Sequence, residues 1–404
     1  MIAKYIIVQP HGFLPGPSEY AIQFCENLAL SSKEVELIAG SEMVTKGDRV
    51  FSWKILQLIH NKRISFLKKL PKKIRVFVEN FIVLTKVFKK YAGKPGVAIH
   101  LLDAELLTLS LVNLLFGFPK NLYLTMRGYE FGGGQVKQFS LSKVYIFFRK
   151  VFWKLLGKNI SIFVESPKVA DDLDKQKLVP HDSINIIPHP IWQPIDSEIT
   201  ATEAREKLGI PHDVPVFLLF GLRPLRQKSI DIVVEALAQV KLPLKLIIAG
   251  KGDNKAEDDE LLAQIGRVGL KSAVDCYFRY IEESEIPYFF NASDALVLPY
   301  KKTYIGSSGV LAMACRHKIP VVASNVGDLG SMVHEYELGT VFEPDQVSSL
   351  VEAVKFFIAN LENRDKYTKN MNILAESRSW SNVVKEHVVI YEKQNKQNFE
   401  GILV

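Results

Sequence analysis

Along most of the chain, short runs of β-branched and aliphatic residues alternate with longer stretches whose apolar positions recur every three or four residues. AKYIIVQP predicts a first strand. It gives way to the Gly/Pro-rich loop HGFLPGPSE and then to EYAIQFCENLALSS, which has helical spacing. EVELIAG predicts the next strand, and GVAIHLL, NLYLTMR and SIFVES predict others with helical material between them. The alternation restarts at VPVFLLFG, continues through the helix SIDIVVEALAQV, and runs on through LKLIIAG, DCYFRYI, DALVLP and PVVAS. Each of these runs ends in a Gly- or Pro-containing turn. Strands alternating with helices specify a parallel sheet with right-handed crossovers, so the fold class is α/β. Two such series specify two doubly wound domains, 1–190 and 191–379. The proline-rich, aperiodic stretch IIPHPIWQPIDSEIT joins them, and a last helix within 380–404 completes the first domain.

Composition narrows the class. At 404 residues the chain exceeds what one core usually serves. With 48% apolar and 24% charged residues it is neither disordered, collagen-like nor a coiled coil. HLLDAELLTLSLVNLLFGF carries Asp103 and Glu105, which interrupts it short of the roughly 18 apolar residues of a spanning helix. The N-terminal apolar run meets Pro10 and His11 before it reaches signal-peptide length. Cys25, Cys276 and Cys315 are few and far apart, which suits a reducing, cytoplasmic compartment and supplies no metal-ligand spacing.

Charge is distributed unevenly. Twelve Lys or Arg stand against Glu79 between Lys54 and Lys94, a local +11 that leaves −4 for the rest of a chain whose total is +7. A localised basic segment implies a localised anionic partner. In SFLKKLPKKIRVFVENFIVLTKVFKK the cations are interleaved with Ile, Leu, Phe and Val, and FFRKVFWKLLGK adds more beside aromatics. Residues 54–94 therefore suit an anionic membrane surface, which would make the protein peripheral on the cytoplasmic face. One or two amphipathic helices covering the sheet, with solvated lysines outside, would give the same pattern. No nucleic-acid module accompanies the charge, so nucleic acid is not an expected partner.

Two segments carry candidate chemistry. FGLRPLRQKSIDIVVEAL places Gly221 at a strand end and Arg223 and Lys228 in the loop that follows. A diphosphate needs close backbone approach, which glycine permits, and cations to offset charge growing on the leaving phosphate. Two cations in a loop are also what a solvated surface shows, and nothing local separates Arg226 from Arg223. YKKTYIGSSGVLAMAC places Gly306, Ser307, Ser308 and Gly309 before an apolar helix, whose free amides and dipole favour an anion. The plain alternative is a serine N-cap. In the first domain, His11, Gly12, Gly16 and Glu19 follow the first strand, and Asp103 and Glu105 follow another. His11 is either a proton shuttle or a locally bonded loop histidine.

FGLRPLRQKSIDIVVEAL, LKLIIAGKGD, DALVLPY, SSGVLAMA, PVVASNVGDLGSMV and ELGTVFEPD occur in an order and spacing that resembles the retaining GT-B glycosyltransferases of family 4, the glycosyl transferases group 1. The resemblance covers most of residues 214–345 and extends more loosely to HGFLPGPSEYA and NLYLTMRGYEF. It implies two Rossmann-like domains facing across a cleft. A nucleotide-sugar donor would be held there, with its diphosphate against Arg223, Lys228 and the amides around Ser308 and Gly309, and its base near Tyr280 and Ile281. It further implies transfer with retention to a glycan or lipid-linked glycan, without a carboxylate nucleophile of the glycosidase kind, a metal or a cofactor.

The sequence departs from the family at three positions. Ile305 and Met313 stand where many relatives have two glutamates that touch the sugar and the ribose, and neither side chain accepts a hydrogen bond usefully. Arg127 stands where a histidine is usual. Either other groups read the donor, with Arg127 or Glu130 near the sugar and Ser307 or Ser308 near the hydroxyls, or the chain is a non-catalytic relative that binds a nucleotide or a glycan as a partner subunit.

Overall fold

The computed structural model describes residues 2–9, 15–31, 33–39, 54–57, 72–91, 93–102, 106–117, 119, 121–126, 160–175, 179–223, 227–304 and 306–400. These form two compact units that divide between His189 and Pro190, with the segment from Trp380 onward returning to the first.

The first unit opens with β1 (Lys4–Gln9), α1 (Pro15–Ala29), β2 (Glu34–Ala39), β3 (Lys54–Gln57) and α2 (Lys72–Tyr91). It continues through β4 (Val97–Leu101), α3 (Leu106–Phe116), β5 (Leu122–Met126), β6 (Ser161–Val164), α4 (Pro167–Lys175) and β7 (Ile184–Ile186). The strands pair in parallel in the order β3-β2-β1-β4-β5-β6-β7. Because helices cover both faces, β1 and β5 are apolar without alternation and almost wholly buried.

The second unit begins with α5 (Ala201–Leu208), β8 (Val216–Phe220), α6 (Ile230–Val240), β9 (Lys245–Ala249), α7 (Lys255–Arg267) and β10 (Val274–Tyr277). There follow α8 (Ile286–Asn291), β11 (Ala295–Leu298), α9 (Gly309–Arg316), β12 (Val321–Ser324), α10 (Gly327–Glu335), β13 (Gly339–Phe342), α11 (Val347–Ala359) and α12 (Arg364–Ser377). Its sheet is also parallel, in the order β10-β9-β8-β11-β12-β13. Both units are α/β and doubly wound, as in the GT-B fold. In each, the strand order reverses next to the first strand, between β1 and β4 and between β8 and β11. In the second unit the described loops that leave the carboxyl ends of β8 and β11 part there, where a crevice is expected.

Three elements differ from the sequence expectation. Lys54–Gln57, the start of the basic segment, is the edge strand β3, and among the described residues of that segment Lys72–Tyr91 is a helix, α2. α1 starts at Pro15, so Gly16 and Glu19 lie in a helix and not in the loop after β1. Glu19 is half-buried and accepts a hydrogen bond from Gln23 one turn on (3.2 Å). β10 ends at Tyr277, which leaves Tyr280 and Ile281 in the connection beyond it. Among the described residues, no helix is long and apolar enough to cross a membrane.

The final helix, α13 (Trp380–Glu400), is stapled to the first unit by buried polar groups. Tyr391 Oη lies 2.6 Å from His100 Nδ1, and His100 Nε2 lies 2.7 Å from Thr125 Oγ1. The Tyr123 hydroxyl donates to the Tyr391 carbonyl (3.2 Å), and Asn121 donates to Asn395 (3.0 Å). A neutral imidazole with one donor and one acceptor nitrogen satisfies both hydroxyls, whereas an unmatched polar group in this core would be costly. Beside them His387 is buried with Nδ1 bonded to the Val383 carbonyl (2.8 Å), and burial pushes its pKa down to about 4. In the second unit His317 stacks on Phe290 (4.4 Å), and burial, aided by the Arg316 charge, also lowers its pKa to about 4.

Both histidines are neutral in the fold but protonate near 6.5 when unfolded. Their contribution to stability is intact above about pH 6.5 and is lost as pH falls toward 4. Calorimetric melting across that window should show both units losing stability, and His387→Gln should flatten the slope of the first unit only.

Candidate functional site

The crevice in the second sheet is built from the loops after β8 and β11. Gly250, at φ +147°, allows the ends of β8 and β9 to approach, since a Cβ there would lie 1.9 Å from the Gly221 carbonyl oxygen. Gly221 adopts φ +88°, and a Cβ on it would stand 3.5 Å from Val310 in the first turn of α9. The glycine loop and the start of α9 therefore face each other. Two hydrogen bonds zip the loops together, from the Ser229 amide to the Pro299 carbonyl (2.7 Å) and from the Lys301 amide to the Gln227 carbonyl (2.8 Å). Asp345, after β13, clamps both loops, because its carboxylate accepts from the Ser229 hydroxyl (2.5 Å) and the Lys302 amide (3.1 Å).

Lys228 sits inside this clamp, only 4% exposed. Its ammonium donates to the Phe220 carbonyl (3.1 Å) and lies 5.8 Å from the Tyr300 ring centroid. Among the described residues no carboxylate pairs with it. Desolvation, reinforced by the nearby Arg223 charge, drives its pKa down to about 7. The opposite end of the same sheet is handled differently. There Asp294 binds both Arg205 (2.9 Å) and Arg364 (3.1 Å) and accepts from the amide that opens β8 (2.8 Å). A lysine buried with one carbonyl and no anion, beside an end-to-end counterexample where each cation is paired, marks a position that an anionic ligand would complete.

Arg223 is equally buried but is already partnered. Its Nε donates to the Gly250 carbonyl (2.9 Å), Nη2 pairs with Asp258 of α7, and the guanidinium carbon lies 4.0 Å from the Phe278 ring centroid. Two of its three nitrogens are engaged within the unit, so the arginine expected to grip a ligand is held by an internal carboxylate, and the two N–H groups of Nη1 with the second of Nη2 carry the donor capacity that remains.

Ser308 is the N-cap of α9, its hydroxyl accepting from the Leu311 amide (3.1 Å). It is also tied to the lysine, because Tyr300 Oη lies 3.0 Å from Ser308 Oγ while the Tyr300 ring lies near the ammonium. Tyr304 stacks on Tyr300 (4.0 Å) and donates to the Ser307 carbonyl (2.8 Å), fixing the Gly306–Ser307 turn that delivers Gly309 to the start of the helix. Tyr300 thus links the lysine loop to the helix start.

The structure brings Gly221, Arg223, Lys228, Gly306, Ser307, Ser308 and Gly309 to one end of the second sheet. Met313, on α9, packs against the core of that unit. Ile281 is a core residue, and Tyr280 is 44% exposed beyond the edge strand β10. His11, Gly12, Asp103, Arg127, Glu130 and Ile305 lie outside the described residues. Sequence reasoning missed Tyr300, Asp345, Asp258 and Phe278. Tyr300 and Asp345 end the quoted segments DALVLPY and ELGTVFEPD, so their position after a strand was a usable signal. Asp258 stands among four acids in KAEDDE, where nothing local distinguishes it.

Residues 200–372 match the family described as Glycosyl transferases group 1. Curated relatives include an uncharacterized glycosyltransferase of Methanocaldococcus jannaschii, 27% identical over 53% of this chain and 55% of its own length. A D-inositol 3-phosphate glycosyltransferase of Xylanimonas cellulosilytica is 23% identical over 60% of this chain and 59% of its own. The chain thus spans little more than half the length of these relatives. Among solved structures, Anabaena HepE in complex with UDP superposes with a TM-score of 0.67 at 15% identity, covering 96% of this chain and 99% of that one. That likeness is one of fold.

The buried lysine yields a prediction that separates ligand binding from structure. Between about pH 7 and 10.5 the unfolded chain binds the Lys228 proton more tightly than the fold does, so burial of this group costs stability at neutral pH and the cost disappears as pH rises to 10.5. Lys228→Met, similar in length and uncharged, should raise the melting temperature of the free protein at pH 7 by a few degrees and abolish diphosphate binding. A lysine serving structure alone would give a lower melting temperature.

Proposed function

We propose that this chain, whose residues 200–372 are a glycosyl transferases group 1 domain, is a glycosyltransferase that moves a sugar from a nucleoside diphosphate donor to a glycan or lipid-linked glycan. The observation that carries the reading is the uncompensated Lys228 ammonium at the strand-order reversal, linked through Tyr300 to the amides that open α9. A diphosphate seated there meets one buried cation, the free edge of Arg223 and the positive end of a helix dipole. As the bond between sugar and phosphate breaks, negative charge grows on the leaving group. Cations held in place before the reaction stabilise that charge without reorganising. In this reading leaving-group stabilisation rests on side-chain cations and backbone amides, and the sugar is transferred with retention, entering and leaving on one face.

Anion binding also resolves the protonation of Lys228. Its pKa of about 7 leaves the free protein divided between ammonium and amine at neutral pH, and a diphosphate favours the ammonium. Sugar and ribose hydroxyls are read by groups other than the two family glutamates, because Ile305 and Met313 replace them; Ser307, half-buried in the turn before α9, is one such group. The relative solved with UDP makes uridine diphosphate the first probe. The basic residues 54–94, of which 72–91 form α2, support a peripheral position on an anionic membrane, where a lipid-linked acceptor would be found.

Isothermal titration with UDP, GDP and ADP should find one tight nucleotide, whose presence at a hundredfold excess over Kd stabilises the fold by about 2.7 kcal/mol. Arg223→Ala with Lys228→Ala should abolish that binding, and the wild-type protein should slowly hydrolyse the matching nucleotide sugar. Unchanged affinity in the double variant would sink the assignment of the donor site.

A further inference from the structure

Tyr300 and Lys228 stand opposite one another in a short antiparallel bridge. Two bonds hold it, from the Ser229 amide to the Pro299 carbonyl (2.7 Å) and from the Lys301 amide to the Gln227 carbonyl (2.8 Å). Residues paired in this way present their side chains on one face, and here the ammonium comes to 5.8 Å from the centroid of the tyrosine ring. A cation over an aromatic face gains from the ring quadrupole, most of all where water is excluded. Both side chains are buried. Tyr304 stacks on Tyr300 at 4.0 Å with 22° between the planes, and its own hydroxyl donates to the Ser307 carbonyl, so packing fixes the orientation of the ring.

The hydroxyl of the same tyrosine reaches the start of α9. Ser308 Oγ accepts from the Leu311 amide (3.1 Å) and lies 3.0 Å from Tyr300 Oη. A serine hydroxyl has two lone pairs and one proton, and a phenol is the stronger acid of the two groups. With Tyr300 as donor, both serine lone pairs are occupied. The serine proton is then left to donate, and among the described residues no acceptor is bonded to it. An anion would bring that acceptor. One side chain thereby acts on two donors, on the ammonium through its face and on the Ser308 proton through its hydroxyl.

We propose that Tyr300 is a positioning residue of the diphosphate site: its ring holds the Lys228 ammonium at the crevice, and its hydroxyl frees the Ser308 proton to donate to the bound diphosphate. This rests on the donor reading of the proposed function, and it adds the residue through which cation and helix start act on one ligand. Ser308 is then both the cap of α9 and a ligand donor. The described charges around the lysine leave this task to the ring. Arg223 opposes the ammonium, Asp258 is engaged with Arg223, and Asp345 is engaged with Ser229 and Lys302. The favourable contacts of the ammonium are the Phe220 carbonyl and the face of Tyr300.

Two replacements separate the parts of the tyrosine: Tyr300→Phe keeps the ring and removes the hydroxyl, and Tyr300→Leu removes both. Isothermal titration with UDP should find Tyr300→Phe about fivefold weaker than wild type at every pH. Tyr300→Leu should match that loss near pH 6 and add up to about tenfold near pH 9, because an ammonium without the ring gives up its proton about one unit lower. A lesion of structure alone would weaken binding equally across pH. Ser308→Gly removes the hydroxyl and keeps a tolerated cap, so adding Tyr300→Phe to it should cost UDP affinity nothing further. Nuclear magnetic resonance of the Lys228 side chain in the free protein reads the ring without nucleotide. Its pKa should stay near 7 in Tyr300→Phe and fall in Tyr300→Leu. Additive losses in the Phe and Gly pair, or an unmoved lysine pKa in Tyr300→Leu, overturn the proposal. If UDP, GDP and ADP all fail to bind the wild type while the lysine pKa responds as expected, the donor reading falls and the hold of the ring on the lysine stands.

Discussion

An ammonium group buried at the end of a parallel sheet, with no carboxylate among the described residues to meet it, is the constraint on which the second unit turns. Lys228 is held there by one carbonyl, the one that ends β8, and by a ring. Removing that charge from water costs a few kcal/mol at neutral pH if its pKa is about 7. The surroundings keep it in place regardless. Asp345 ties the lysine loop to the loop after β11, and Gly250 lets the neighbouring strand end come close enough to complete the wall. The cost is carried by the core beneath, where β8, β9 and β11 are buried along nearly their whole length.

Arg223 solves the same electrostatic problem by another route. Asp258 supplies the countercharge from α7, and Phe278 covers the guanidinium plane. The crevice therefore holds one cation with no carboxylate partner among the described residues and a second whose carboxylate partner is internal. The two basic residues of the loop are unequal for this reason: among the described residues Lys228 meets a carbonyl and a ring but no countercharge, and Arg223 meets Asp258 and keeps an unused edge.

The first unit repeats the architecture with a different closing device. Its sheet reverses between β1 and β4, and the helix that seals it is contributed from the far end of the chain. Tyr391, His100 and Thr125 form a buried chain of hydrogen bonds with every member satisfied, which fixes the register of α13 more specifically than apolar contact alone would.

Much of this was legible in the sequence, because the period of apolar residues is set by local backbone geometry. The unbroken apolar runs of β1, β5, β8 and β9 belong to strands buried on both faces, and their alternation with helices dictated two parallel sheets. Spacing also singled out Gly221, Lys228 and the Ser308 cap, since loop glycines and helix caps are short-range features. Four things had no short-range signal. β3 lay inside a segment whose charge masked its period, and strand pairing with β2 decided it. The partners of Lys228 and Arg223, namely Tyr300, Asp345, Asp258 and Phe278, come from separate strands and helices, so only the folded sheet brings them together. The bond from Tyr391 to His100 crosses 291 positions. Which lysine stays unpaired was likewise a tertiary outcome, because burial and the absence of a countercharge belong to the surroundings of a side chain, while the sequence records only its identity and place in line.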